Sequence, residues 1–119
     1  MSTTTAFDLE AFKQAIERRD AATQTAMYAA DAEVTLTDRV SQPGAPRVLP
    51  GRNEIQAWIE DVCRRDMTHQ VQHTVSDAEG VAFTEACRYP DGTAVLCAAL
   101  LEVRDGRVTR QVGVQAWDE

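Results

Sequence analysis

The chain has 119 residues, of which 44% are hydrophobic and 26% are charged, and its formal net charge is −7 at pH 7. This length suits one domain with a single hydrophobic core. An acidic chain without a long basic run is a poor match for nucleic acid, and the chain has no apolar run near the roughly 20 residues that cross a bilayer, so neither nucleic acid nor membrane is expected as a partner.

The first residues, MSTTTAFDLE, lack the basic segment and the apolar stretch of a secretory signal peptide, which predicts a cytoplasmic location. Cys63, Cys87 and Cys97 form no CxxC pair and are odd in number. We therefore expect free thiols, buried as small hydrophobic side chains in a reducing compartment.

Two helices are predicted at the start of the chain. Asp8 can cap the first one, or Thr5 can do so in a capping box, and the apolar residues that follow share one helical face as far as Arg18. Asp20 can cap a second, alanine-rich helix that ends at about Tyr28.

The hydrophobic period changes abruptly in the stretch MYAADAEVTLTD. After a turn at AAD, Val34 and Leu36 alternate with threonines, which predicts a strand from about Glu33 to Asp38. A loop rich in proline and glycine follows, and then a short strand at Val48 and Leu49.

A third helix is predicted from about Arg52 to Arg65, because its apolar residues follow the i, i+3, i+4, i+7, i+8 stripe of a core-facing helix. The rest of the chain predicts four strands joined by the turn sequences DAEG, PDG and DG. These strands are Thr68 to Ser76, Val81 to Tyr89, Thr93 to Arg104 and Arg107 to Trp117. The whole is a single α+β domain, with helices on one face of a curved antiparallel sheet of about six strands.

This order of elements, together with YAADAEV, PGRNEIQAWI, RYPDGT and RDGRVTRQ, resembles the SnoaL-like branch of the nuclear-transport-factor-2-like superfamily over nearly the whole chain. The resemblance implies a cone-shaped, strongly bent antiparallel sheet closed by three helices, with one deep ligand pocket. It also implies a homodimer through the outer sheet face. Members include polyketide cyclases, ketosteroid isomerases, dehydratases and epoxide hydrolases, so the fold leaves the reaction open.

The ketosteroid isomerase pattern implied by this resemblance is incomplete in the chain. The tyrosine position on the first helix falls at Phe12, the base position falls at Leu36, and the second acid falls at an alanine, Ala98 or Ala99. That particular isomerisation is therefore not expected, although Trp117 matches a pocket tryptophan of the family.

Asp38 is the first candidate for a general base. Strand alternation puts it on the side of Val34 and Leu36, and burial there would raise the pKa of its carboxyl group. Alternatively the strand ends at Thr37 and Asp38 begins the loop. Tyr28 lies beside the same junction, where its hydroxyl could bond Asp38 or a ligand.

His69 and His73 share one face of the third predicted strand, about 13 Å apart, which is too far for both to bind one metal ion. His73 lies deeper in the strand and is the preferred acid or hydrogen-bond donor; the alternative is a half-buried histidine bonded to backbone.

Glu85 would be a second buried carboxylate if its strand face were internal, but the outer face is preferred. With no convergent metal-binding cluster and no nucleotide motif, neither a metal nor a cofactor is expected.

The last strand places Gln111, Gln115 and Trp117 on one side and its valines on the other. If Trp117 faces the pocket, the two amides can bond a polar group on an otherwise apolar ligand; alternatively the valine side is the core. The remaining predicted wall residues are aromatic: Phe12, Trp58 and Tyr89.

Two functions follow from this pattern. One is a cofactor-free acid/base enzyme, a cyclase, isomerase or dehydratase, in which Asp38 moves a proton with His73 or Tyr28 as its partner. Its substrate would be a small, mostly apolar molecule of polyketide- or steroid-like type. The other is a non-catalytic ligand-binding or dimerising module of the same fold.

Overall fold

Three helices and six strands make up residues 6–118, the part of the chain that the computed structural model describes. The helices are α1 (Leu9–Glu17), α2 (Ala21–Ala26) and α3 (Arg52–Arg64). The strands are β1 (Tyr28–Thr37), β2 (Arg47–Pro50), β3 (Thr68–Ser76), β4 (Gly80–Arg88), β5 (Ala94–Arg104) and β6 (Arg107–Trp117). The predicted α+β class and the predicted number of elements are confirmed.

All six strands form one sheet in the order β2-β1-β6-β5-β4-β3. The sheet is open, since β2 and β3 are its two edges. Four of its pairs are antiparallel, but β1 and β6 run parallel, which corrects the prediction of a wholly antiparallel sheet. Hairpin turns determine the direction of β3 to β6, whereas most of the chain separates β1 from β6 and no turn dictates how they pair.

β1 begins at Tyr28, earlier than the predicted Glu33, and α2 ends correspondingly earlier. The AAD segment is an irregular part of the strand rather than a turn. Tyr28 pairs with Val108 of β6 and Glu33 pairs with Arg110, so the register shifts between them. Such a bulge leaves the extra residues unpaired and bends the strand. The bulge leaves Tyr28 at the start of a strand, with its side chain buried.

The first two helices begin as their caps predict. The carboxylate of Asp8 accepts a hydrogen bond from the Ala11 amide at 3.0 Å, and that of Asp20 accepts one from the Thr23 amide at 3.1 Å. Thr5, the alternative cap, lies outside the described residues. None of the helices within residues 6–118 is long and apolar enough to span a membrane.

The core lies between the helices and one face of the sheet. α1 packs on β3, while α3 packs on β1 and β2. The predicted stripe of α3 is confirmed by Ile55 and Ile59, both buried. The largest fully buried side chains come from α1, α3 and the strands β1, β5 and β6: Phe12, Tyr28, Val34, Ile55, Leu101 and Val108.

Candidate functional site

A cavity of about 100 Å³ lies between the helices and the inner face of the sheet. The structure brings seven of the nine predicted site residues into its wall. These are Phe12, Tyr28, Trp58, Tyr89, Gln111, Gln115 and Trp117. On β6, the glutamines and Trp117 face the cavity while Val112 and Val114 are exposed, so the first of the two orientations considered for this strand is the observed one.

Asp38, the first candidate for a base, does not line the cavity. β1 ends at Thr37, and the Asp38 carboxylate turns back onto the following loop, where it accepts hydrogen bonds from the amides of Val40 at 2.9 Å and Ser41 at 2.8 Å. An aspartate that closes such a turn satisfies its oxygens locally. The expected position of Asp38 in the pocket wall is therefore wrong.

His73, the preferred histidine, is exposed and also lies outside the cavity wall. It has a left-handed φ of 52°, and the β3–β4 register shifts between Gln72 and Val75. This bulge breaks the alternation of the strand, so Val71 is 6% exposed but Val75 is 67% exposed. The prediction that His73 faces inward is wrong because it assumed an unbroken strand.

The polar centre of the cavity is formed by His69, Glu85 and Cys87. Nδ1 of His69 lies 2.8 Å from Oε2 of Glu85 and 3.2 Å from Sγ of Cys87. The Cys87 thiol donates to the same Glu85 oxygen at 2.9 Å. The side chains of His69 and Glu85 are 4% and 16% exposed. Their convergence overturns two expectations, that Glu85 lies on the outer face and that no histidine, cysteine and carboxylate cluster forms.

Strand register explains why these three side chains meet. His69 of β3 stands directly opposite Cys87 of β4, and Glu85 lies two residues before Cys87 on the same face. The sequence contained one relevant signal. Glu85 lies two positions from both Phe83 and Cys87, which are buried, so strand alternation places its side chain on the same face as theirs. The sequence did not contain the β3–β4 register, which decides that His69 rather than His73 is their neighbour.

The Cys87 thiol also has a partner on β5. A hydrogen bond with Cys97, together with burial and the nearby Glu85 charge, holds the pKa of Cys87 well above its usual range. The thiol is therefore protonated at neutral pH and a poor nucleophile in this state. We therefore do not propose Cys87 as a nucleophile.

In the part of the cavity wall formed by β1 and β6, Tyr28 donates a hydrogen bond through its hydroxyl to Oε1 of Gln111. Both side chains are buried, at 2% and 7% exposure. Burial, and secondarily the charge of Glu85, raises the pKa of Tyr28 above its ordinary range, so its hydroxyl stays protonated and acts as a donor. This bond turns the NH₂ group of Gln111 away from Tyr28.

Gln115 is held in the same way at the other end of β6. Nε1 of Trp117 donates to Oε1 of Gln115 at 3.0 Å, and an indole N–H can only donate, so the orientation of this amide is determined. The Trp117 ring stacks on Tyr89 with centroids 5.7 Å apart, and the Arg39 guanidinium lies 4.3 Å from its centroid. Trp117 is thus held by contacts with Tyr89 and Arg39, and its N–H orients Gln115.

A family model described as a SnoaL-like domain matches residues 9–111. No curated protein gives a significant match. An NTF2-like protein of unknown function from Mesorhizobium loti has a TM-score of 0.80 at 16% identity, with 91% of this chain and 87% of that chain covered.

Two further solved structures share the fold. A protein from Sphaerobacter thermophilus has a TM-score of 0.72 at 21% identity, over 98% of this chain and all (100%) of that chain. A protein from Catenulispora acidiphila with a ketosteroid isomerase-like fold, in complex with trimethylamine, has a TM-score of 0.66 at 18% identity, over 88% of this chain and 82% of that one. At these identities the likeness concerns the fold alone.

Proposed function

The chain belongs to the SnoaL-like domain family, and from this premise we propose that it catalyses a cofactor-independent proton transfer, of the isomerase or cyclase type, on a small carbonyl compound. The observation that carries the proposal is the pairing of His69 with Glu85 in the wall of a mostly apolar cavity. This pair takes the place of Asp38 and His73 as the acid/base centre.

The hydrogen bond between the two residues determines what each one does. In a neutral imidazole, Nδ1–H donates to the Glu85 carboxylate, which leaves the lone pair on Nε2. His69 accepts a substrate proton at Nε2 and later returns it to another atom of the substrate. Glu85 keeps the imidazole in this tautomer and offsets the positive charge that it gains.

The glutamines of β6 support a substrate that carries a carbonyl group. The oxygens of Gln111 and Gln115 are both occupied by protein donors, Tyr28 and Trp117. Each of these bonds orients its amide so that the NH₂ group, which can only donate, points away from the protein donor and can bind acceptor oxygens. Donors held in place before the reaction stabilise the negative charge that develops on a carbonyl oxygen when the adjacent carbon loses a proton.

The size of the cavity narrows the substrate class. Its volume of about 100 Å³ is well below the roughly 300–1,000 Å³ of pockets for drug-sized ligands. A cavity of about 150 Å³ holds one benzene molecule. A molecule of about one ring, or a short chain, fits this space better than the four fused rings of a steroid or a large polyketide.

Exchange of substrate protons with deuterium tests this function without knowledge of the physiological substrate. Small ketones and aldehydes are incubated with the protein in D₂O, and deuteration next to the carbonyl is followed by NMR. We expect a protein-dependent rate that falls by at least about 100-fold in Glu85→Gln, the usual scale of general acid/base catalysis. Asp38→Asn is the matched control and should retain the rate. Compounds that bind in the cavity without any exchange would contradict the proposal.

The second candidate is a ligand-binding module without catalysis. One observation favours it: among residues 6–118 every buried polar side-chain atom has a hydrogen-bond partner, and Glu85 is held by both His69 and Cys87. A fully bonded network can serve packing alone. Under this alternative, Glu85→Gln would alter stability, and neither the wild-type protein nor the variant would catalyse exchange.

A homodimer through the outer face of the sheet is also proposed. Along β5 and β6, Leu96 pairs with Ala116, Ala98 with Val114, and Leu100 with Val112. The larger members are exposed, with Leu96 and Leu100 at 54%, Val114 at 50% and Val112 at 39%. Contiguous apolar surface of this kind marks protein interfaces.

The three free cysteines support the further proposal of a reducing, cytoplasmic compartment.

A further inference from the structure

The His69–Glu85–Cys87 cluster combines three different metal-ligand types. One imidazole nitrogen, one carboxylate oxygen and one sulfur all lie within 4.8 Å of one another. Imidazole and sulfur together suit borderline and soft transition metals rather than Mg²⁺ or Ca²⁺, which prefer shells of oxygen. The cluster lines the cavity, so a fourth coordination position would face a space that admits water or a small ligand.

We propose that Nδ1 of His69, Oε2 of Glu85 and Sγ of Cys87 bind a divalent transition-metal ion of the Zn²⁺ class, with the fourth position open to the cavity. Three protein ligands and one exchangeable position are the arrangement of accessible zinc sites. The site shares His69 and Glu85 with the acid/base proposal but does not rest on it: a metal ion on Nδ1 leaves the proton on Nε2 and so excludes base catalysis there, and metal binding is measured without turnover.

Charge and proton balance favour this occupant. Binding moves the imidazole proton of His69 from Nδ1 to Nε2, so that the Nδ1 lone pair meets the metal, and releases the Cys87 thiol proton to solvent. One carboxylate and one thiolate then neutralise the two positive charges, which leaves a neutral complex in a poorly hydrated cavity. The bound cation also supplies the nearby positive charge that stabilises the buried Cys87 sulfur as a thiolate.

The distances require only a small adjustment. Tetrahedral bonds of about 2.0–2.3 Å separate neighbouring ligand atoms by roughly 3.3–3.5 Å. The observed separations are 2.8, 2.9 and 3.2 Å, the values of a hydrogen-bonded cluster. Replacing the shared protons by a metal ion widens these gaps by about half an ångström, which side-chain rotation on β3 and β4 can supply.

Cobalt is the probe for the test, because Co²⁺ occupies such sites and a cobalt–thiolate bond gives a charge-transfer absorption that free Co²⁺ lacks. The full chain, freed of metal with a chelator, is titrated with Co²⁺ and then with Zn²⁺. We expect a charge-transfer band that Zn²⁺ abolishes by displacement. In Glu85→Gln the affinity should fall by more than about 100-fold, since even partners outside the coordination shell are worth about 10- to 100-fold.

Cysteine variants distinguish this site from non-specific binding. Cys87→Ser should lose the band, whereas Cys63→Ser should keep it, because Cys63 lines the same cavity but is bonded to Gln24 instead. Circular dichroism confirms that each variant is folded, and His69→Gln replaces Cys87→Ser if the latter is not. The absence of a band in the wild-type protein, its survival in Cys87→Ser or its loss in Cys63→Ser would each overturn the site.

Discussion

Nδ1 of His69 lies 2.8 Å from Oε2 of Glu85 although 16 positions separate the two residues in the chain. The contact runs diagonally across two strands, since Glu85 pairs with Val71 and His69 pairs with Cys87. Diagonal neighbours on one sheet face are within reach of long side chains. The pair therefore depends on the register between β3 and β4, and so does every function proposed for the cavity.

If His69 and Glu85 act as one acid/base unit, their substitutions should not be additive. We expect His69→Gln, Glu85→Gln and the double variant each to lower the rate of deuterium exchange by a similar factor, about 100-fold or more. The reason is that either single change already disables the pair. The measurement is the exchange rate of the best ketone in the panel, with its dissociation constant determined in parallel. Losses that multiply in the double variant would mean that the residues act independently.

The hydrogen bond from Tyr28 to Gln111 should contribute to stability. Tyr28→Phe keeps the ring but leaves the buried Oε1 of Gln111 without its donor, which costs about 1–3 kcal/mol. The free energy of unfolding in urea measures this loss. Tyr89→Phe is the matched control, because its hydroxyl bonds to Arg65 at an exposed position and should change stability by less than about 0.5 kcal/mol. Equal effects of the two substitutions would contradict this expectation.

Tyr28 should also make the fold sensitive to alkali. Its pKa in the folded protein is raised above the ordinary value of 10.0 because the ring is buried, whereas in the unfolded chain the ordinary value applies. The unfolded chain therefore releases this proton first, so the stabilisation is complete below about pH 10 and is lost as the pH rises from there toward the folded pKa. Unfolding free energies measured from pH 8 upward should fall less steeply in Tyr28→Phe than in the wild type. A slope unchanged by the substitution would exclude Tyr28 as its source.

The indole of Trp117 should control which ligands the cavity prefers. Trp117→Phe removes the N–H that holds Oε1 of Gln115, so the amide becomes free to rotate and present its oxygen. We expect the preference for a cyclic ketone over the matching cyclic amine to fall by roughly tenfold, the equivalent of one hydrogen bond. Dissociation constants for both compounds provide the test. Tyr89→Phe keeps the stack on Trp117 and should leave the preference unchanged.

The outer face of β5 and β6 should hold two copies of the chain together. A charge on this face, as in Leu100→Glu, would have to be buried unpaired in a dimer, so this variant should sediment as a monomer at concentrations where the wild type is dimeric. Val40→Glu is the control, because Val40 is 82% exposed on the loop after β1. Wild-type protein that sediments as a monomer throughout would refute the dimer.

Local patterns predicted the faces of most elements. Ile55 and Ile59 are buried because a helical stripe of apolar residues has one favourable side, and Gln111 and Trp117 share a face because strand side chains alternate. These properties depend on spacing along a single segment. For that reason the helices, the last strand and the aromatic wall of the cavity could be predicted before the structure was known.

Other features depend on segments that are distant in sequence. A bulge reverses the face of β3 after Gln72 and exposes His73, a local turn holds Asp38, and β1 pairs in parallel with β6. The sequence by itself determined the SnoaL-like architecture and which residue types were available for chemistry. Only the tertiary structure decided that His69, Glu85 and Cys87 are the residues that meet, because strand register depends on packing between segments and shifts by one residue move a side chain to the opposite face.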